Sequence, residues 1–134
     1  MRDIGIAYLT AALVMGGLDF AWLSMTKEPL YNRGLGPLLA EQPNMAAAIA
    51  FYLLYLAGVV FFTVRPALAD GSSAGALMPG AIMGLVAYGT YDLTNQATLK
   101  GWPLHVTIID MAWGCLLTAT TAAVSTAVTL ALEK

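Results

Sequence analysis

The sequence predicts an all-α polytopic membrane protein, a bundle of four transmembrane helices with an interfacial helix in the first connection. Three observations carry that expectation. The chain is 59% hydrophobic and only 10% charged, whereas a soluble domain has about a quarter of its residues charged. So few charges cannot cover a water-facing surface. The apolar residues also come in long blocks, as a bilayer requires, without the polar outer faces of a soluble bundle. Finally, most charged residues fall between these blocks or at the two ends of the chain. The mean hydropathy of +0.73 agrees. A length of 134 residues fits a single membrane domain over 1–134.

The first span covers about 4–25, ~33 Å as a helix. Its short charged start, Met1-Arg2-Asp3, resembles a signal peptide, but the run holds Asp19 and lacks a clean small-x-small cleavage site. It reads as a retained helix, and no lipid-anchor motif is present. Gly16-Gly17 weakens it locally or admits a close neighbour. Residues 26–44 form a long connection whose leucines, at 30, 35, 38 and 39, suit a short helix dipping into lipid. A lid over a pocket is the alternative.

The second span, about 45–64, carries no charge and ends at Arg65-Pro66. Tyr52 and Tyr55 are its polar handles, and packing is its expected role. Asp70-Gly-Ser-Ser-Ala-Gly75 is a loop. The third span, about 76–97, repeats small residues at Ala76, Gly80 and Gly84, a stripe that permits close helix contact. At 100° per residue, Tyr88, Tyr91, Asp92 and Asn95 share one side with Gly84. The fourth starts at Pro103, a favourable first helical position, and covers about 103–125 or longer. Its threonines and Ser125 can satisfy their hydroxyls on backbone carbonyls.

Four alternating spans put Asp19, Asp92, Asn95 and Asp110 on one side of the midplane, each ~3 to 12 Å deep. A charged Asp at a helix centre costs about +2.5 to +3.5 kcal/mol on insertion scales. Three at one depth therefore call for a wet or mutually paired environment. Arg33, reaching inward, is a candidate partner. A protonated carboxyl beside an ionised one can act as general acid and base, and a proton-coupled carrier needs the same chemistry. Asp19, Asp92 and Asp110 are thus the candidate catalytic residues. Tyr31, Tyr88, Tyr91 and Asn95 are candidates for orienting a substrate, and Trp22, Trp102 and Trp113 for lining the mouth or anchoring the interface. The competing reading is helix gluing, with Asp92 and Asn95 capping and Asp110 bonding Tyr91 or Trp22.

Other chemistries find little support. The few, scattered basic residues give no patch for nucleic acid, at a formal net charge of -2. The single cysteine, Cys115, permits no internal disulfide and reads as a buried thiol. The lone histidine, His105, points away from Asp110 by wheel position and suits the interface. Three carboxylates can hold a divalent ion in principle. No DxxD ladder or HxxH pair supports one, and no metal or cofactor is assigned. No phosphate-binding glycine loop, nucleophile elbow or dinucleotide fingerprint occurs. Orientation is open, because Arg2, Arg65 and Lys134 oppose Lys27, Arg33 and Lys100.

Leu18-Asp-Phe-Ala-Trp22, Tyr31, Leu35-Gly-Pro-Leu38, Tyr91-Asp-Leu-Thr-Asn95, Leu99-Lys-Gly-Trp-Pro103 and Asp110-Met-Ala-Trp113 carry a resemblance over nearly the full length. Together they resemble the DUF2177 family of small bacterial membrane proteins. The resemblance implies a four-span membrane domain and no particular reaction. The expected function is acid/base chemistry on, or binding of, a lipid-soluble molecule entering from the bacterial cytoplasmic membrane. The alternatives are a homodimeric proton-coupled transporter and an accessory subunit with structural carboxylates.

Overall fold

A computed structural model describes residues 1–134. The chain is helical throughout and has no strands. We name four helices: α1, Arg2–Leu38; α2, Met45–Asp70; α3, Leu77–Thr98; and α4, Leu104–Leu132. By length and composition, α1, α2 and α4 can each cross a membrane. Helix α3 has 22 residues, but its end is studded with Asp92, Asn95, Gln96 and threonines, and it is less apolar than the others.

Two helices run on where the sequence suggests an end, and both do so across a proline. In α1 the α-helix over Arg2–Thr26 passes into a π-helical turn, Lys27–Asn32, that contains Pro29. In α2 a π-helical turn at Val60–Val64 immediately precedes Arg65-Pro66, and the helix continues to Asp70. Proline removes one N–H and crowds the carbonyl four residues back, and a wider turn relieves that clash without breaking the helix. The stop comes at Gly71, whose φ of 66° only glycine adopts freely. There Gly71 N–H bonds to Leu68 O (3.1 Å) and Ser72 N–H to Ala67 O (3.0 Å), a Schellman closure. At the other end of α2, the Asn44 side chain accepts from Ala47 N–H at 3.1 Å.

The first connection is helical, and two of its four leucines turn toward the bundle. Leu30 and Leu35 are buried against Trp102 and Val106. Gly34 makes this possible, because a Cβ there would sit 2.8 Å from Val106 Cγ2. Only Leu38 and Leu39 keep the expected exposure. Arg33 is exposed and pairs with no carboxylate; the sole ion pair joins the N-terminal amine to Asp3. Gly101, at φ 73°, turns the chain from α3 into α4. Pro103 is the N-cap of α4 rather than its first residue.

The hydrophobic core is built from α1, α2 and α4, with half of its residues from α2, while α3 packs closely along α4. The small-residue stripe fixes the distance. A Cβ at Gly80 would lie 2.9 Å from both Ala119 Cα and Thr118 O, and one at Gly84 would overlap the Gly114 carbonyl. Gly16 and Gly17 serve no such contact, as nothing approaches within 4 Å. The polarity is inside out. Nine of the 29 buried residues are polar, while Leu9, Leu13, Phe20, Leu54, Phe62 and Leu116 are exposed. Water would not tolerate that surface, but lipid does. Thr126 and Thr129 donate to Ala122 O and Ser125 O within α4, while Ser125 reaches across to Ala7 O at 2.7 Å. Cys115 is partly exposed rather than buried, since the close α3–α4 contact turns the Gly114 side of α4 inward.

Candidate functional site

The site begins with two carboxyls. Asp92 from α3 is completely buried and Asp110 from α4 nearly so. Helical spacing explains this: Gly84 and Asp92 face α4, and Asp110 and Gly114 face back. No N–H or O–H reaches either oxygen of Asp92. The carboxyl of Asp110 lies beside it on the facing helix. Two ionised carboxylates side by side repel and can only accept hydrogen bonds, so the pair has a use for a proton or a cation.

From Asp110 the network continues outward. Tyr31 donates its hydroxyl to Asp110 Oδ1 at 2.5 Å and accepts from Trp22 Nε1 at 3.0 Å. Trp22 stacks on Trp113, with ring centroids 4.4 Å apart and planes 4° from parallel. Trp113 Nε1 in turn donates to Asp19 Oδ1 at 3.0 Å, and Tyr52 donates to Asp19 Oδ2 at 3.3 Å. Asp19 does not touch the other two acids; the tryptophan stack and Tyr31 stand between them. No three acidic, histidine or cysteine groups gather as a metal site.

The remaining candidates are placed as follows. Trp102 is buried, donates to Thr107 Oγ1 at 3.0 Å and meets Tyr91 edge-on at 5.7 Å. Thr107 donates to Gln96 Oε1 at 2.8 Å, and Gln96 Nε2 closes the loop on Trp102 O at 2.9 Å. Tyr88 lies over Gly114, where a Cβ would strike its ring. Asn95 makes no side-chain hydrogen bond to any of these groups, and His105 is exposed beside Gly34. Trp22 and Trp113 are half-buried, and both keep their N–H groups satisfied while they stack.

Tyr52, read from the sequence only as a polar handle for packing, bonds Asp19, and Gln96 and Thr107, which the sequence reading did not single out, bond each other beside Trp102. Tyr52 is seven residues into α2, about 10 Å deep, so the depth argument used for the acids applies to it too. Gln96 follows Asp92 by four residues and Thr107 precedes Asp110 by three, the spacings that share a helix face.

A cleft of about 510 Å³ reaches Asp110 between α2 and α3, lined also by Phe51, Ala87, Tyr88, Thr90 and Tyr91. A larger cleft of about 630 Å³ lies at the opposite end, near Met1, Asp3, Arg65 and Glu133, and has no share in this network.

A family model described as "Predicted membrane protein (DUF2177)" matches residues 4–127. The chain belongs to the DUF2177 family. No curated protein and no solved structure is matched to it. The DUF2177 match takes in Asp19, Asp92 and Asp110 as well as Tyr31 and all three tryptophans.

In this DUF2177 protein Tyr31 is the one bridge between the first connection and the acid pair. Tyr31→Phe is expected to cost about 1.5–3 kcal/mol, because it removes a hydrogen bond to a carboxyl and strands the Trp22 N–H. Thermal melting in detergent with tryptophan emission as the readout measures both effects. An unchanged melting temperature with an unchanged emission maximum would show that the bridge contributes nothing.

Proposed function

We propose that this DUF2177 protein crosses the membrane four times and binds a membrane-soluble molecule at the Asp92–Asp110 pair, where the pair gives or takes a proton. The fourth crossing rests on α3, which returns to α4 through the five residues 99–103 and packs along its length. Burying Asp92 between helices removes the main obstacle to its insertion. The bacterial cytoplasmic membrane is the proposed location.

One observation carries the functional reading. A buried carboxyl with no donor, paired with a second carboxyl, is a poor way to hold helices together. It is a good way to hold a mobile proton. The cleft that reaches Asp110 opens among exposed apolar and aromatic residues, so a ligand enters from lipid. Asp19, tied down by Trp113 and Tyr52, positions the stack rather than meeting the ligand. A second reading, a proton-coupled carrier working as a homodimer, is favoured by the exposure of Phe51 and Tyr91 on the cleft's outer flank. A second copy of the chain would close the cleft there.

The test compares lipid extracts of wild type and Asp110→Asn, purified at matched levels in bilayer discs. The expected result is one or a few species enriched with the wild type and reduced at least tenfold with the variant. Identical extracts would sink the binding reading.

A further inference from the structure

We infer that the ligand of this site is a single-chain amphiphile with an ammonium head, its head at Asp110 and its tail laid along a groove between α2 and α3. The inference rests on the binding reading above and names its substrate class.

The head follows from the cleft. Its walls carry the carboxyl of Asp110 and the rings of Phe51, Tyr88 and Tyr91. A carboxyl among aromatic faces is the environment that selects an ammonium, through charge and cation–π attraction together. Two carboxyls lie side by side here, and neither oxygen of Asp92 has a donor, so negative charge at this place lacks a partner. No lysine or arginine side chain balances it, as the only ion pair lies at the N-terminus. An ammonium supplies the missing charge and a donor, whereas a phosphate or carboxylate head would be repelled.

The tail follows from a second cavity. A groove of about 640 Å³ runs past Phe62, Met78, Ile82, Val86 and Ala87. Ala87 borders the cleft and the groove alike, and Tyr55, which lines the groove, meets Tyr88 of the cleft at 6.4 Å. The two spaces are therefore neighbours along α3, and in the proposed complex the tail passes from one to the other. From Tyr91 to Met78 it follows 13 residues of α3, about 20 Å of rise. That length suits one long alkyl chain. Lipid tails are as apolar as the groove, so burial alone does not hold the chain there. The head fixes the molecule, and the groove fixes where its tail ends.

The probe is hexadecylamine bearing a diazirine at the far end of its chain, photolysed with the full-length protein in phosphatidylcholine discs. Peptide mass spectrometry then locates the label. The expected result is labelling concentrated on Phe62 and on Met78 to Ile82, at least fivefold above the exposed Leu9 and Leu13 of α1. Excess unlabelled hexadecylamine should remove it, and the methyl ester of palmitic acid, which has no donor and no charge, should not. Asp110→Asn should lower it to the level on α1. Competition by the amine with labelling spread evenly over all helices overturns the groove but keeps the site. Equal competition by amine and ester in the wild type overturns the ammonium head, whatever the variant does. No competition by either overturns the site itself.

Discussion

Gly84→Val should yield no folded protein that survives purification in mild detergent. The added Cβ would occupy the space of the Gly114 carbonyl, and backbone cannot swing aside as a flexible side chain can. Helices α3 and α4 would have to separate along the whole stripe that also includes Gly80. Overpacking a well-filled core costs about 1–3 kcal/mol and occasionally more. Here it would also part the Asp92–Asp110 contact and loosen the packing of Tyr88 on Gly114, so the upper end of that range or beyond is expected. Gly17→Ala is the control. Nothing lies within 4 Å of that position, and replacing a mid-helix glycine by alanine stabilises by about 1 kcal/mol. Fluorescence-detected size exclusion after a temperature series reads both variants. A monodisperse Gly84→Val protein melting with the wild type would mean that the helices do not approach as closely as described.

The contrast between these glycines shows what a sequence can and cannot tell. Gly80 and Gly84 are legible because they repeat at four-residue spacing in a helix, and that periodicity already implies a partner backbone. Gly16 and Gly17 have no such repeat, and their open surroundings fit. The three acids stood out for a similar reason: lipid makes a carboxyl expensive, so one inside an apolar run marks itself. Their mutual arrangement was not legible. Depth gives a level but no rotation about the helix axis, so contact between Asp92 and Asp110 could not be told from the separation of Asp19 by the tryptophan stack. The prolines misled. Pro66 reads as a helix stop, yet helix continuation through a π-helical turn depends on neighbouring helices and not on local sequence. The first connection misled for the same reason. Its leucines look lipid-bound until Trp102 and Val106, some seventy residues away, supply a surface for them.

Asp92→Asn should make the protein more stable while changing how it handles protons. Asp92 is fully buried, and no donor reaches either of its carboxyl oxygens. An asparagine there can donate its own N–H to the Asp110 carboxylate, with no titratable proton needed. A gain of about 1–3 kcal/mol is expected, the scale of relieving an unsatisfied buried polar group. The variant has one ionisable carboxyl at the site where the wild type has two. Asp110 remains to meet the ammonium probe, so hexadecylamine should still compete for labelling, while a higher melting temperature reads the relief of the buried acid. If Asp92→Asn melts lower than wild type, Asp92 is satisfied by some other group and the unpartnered carboxyl is not there. Stability gained at the cost of proton chemistry is the pattern of a residue retained for function.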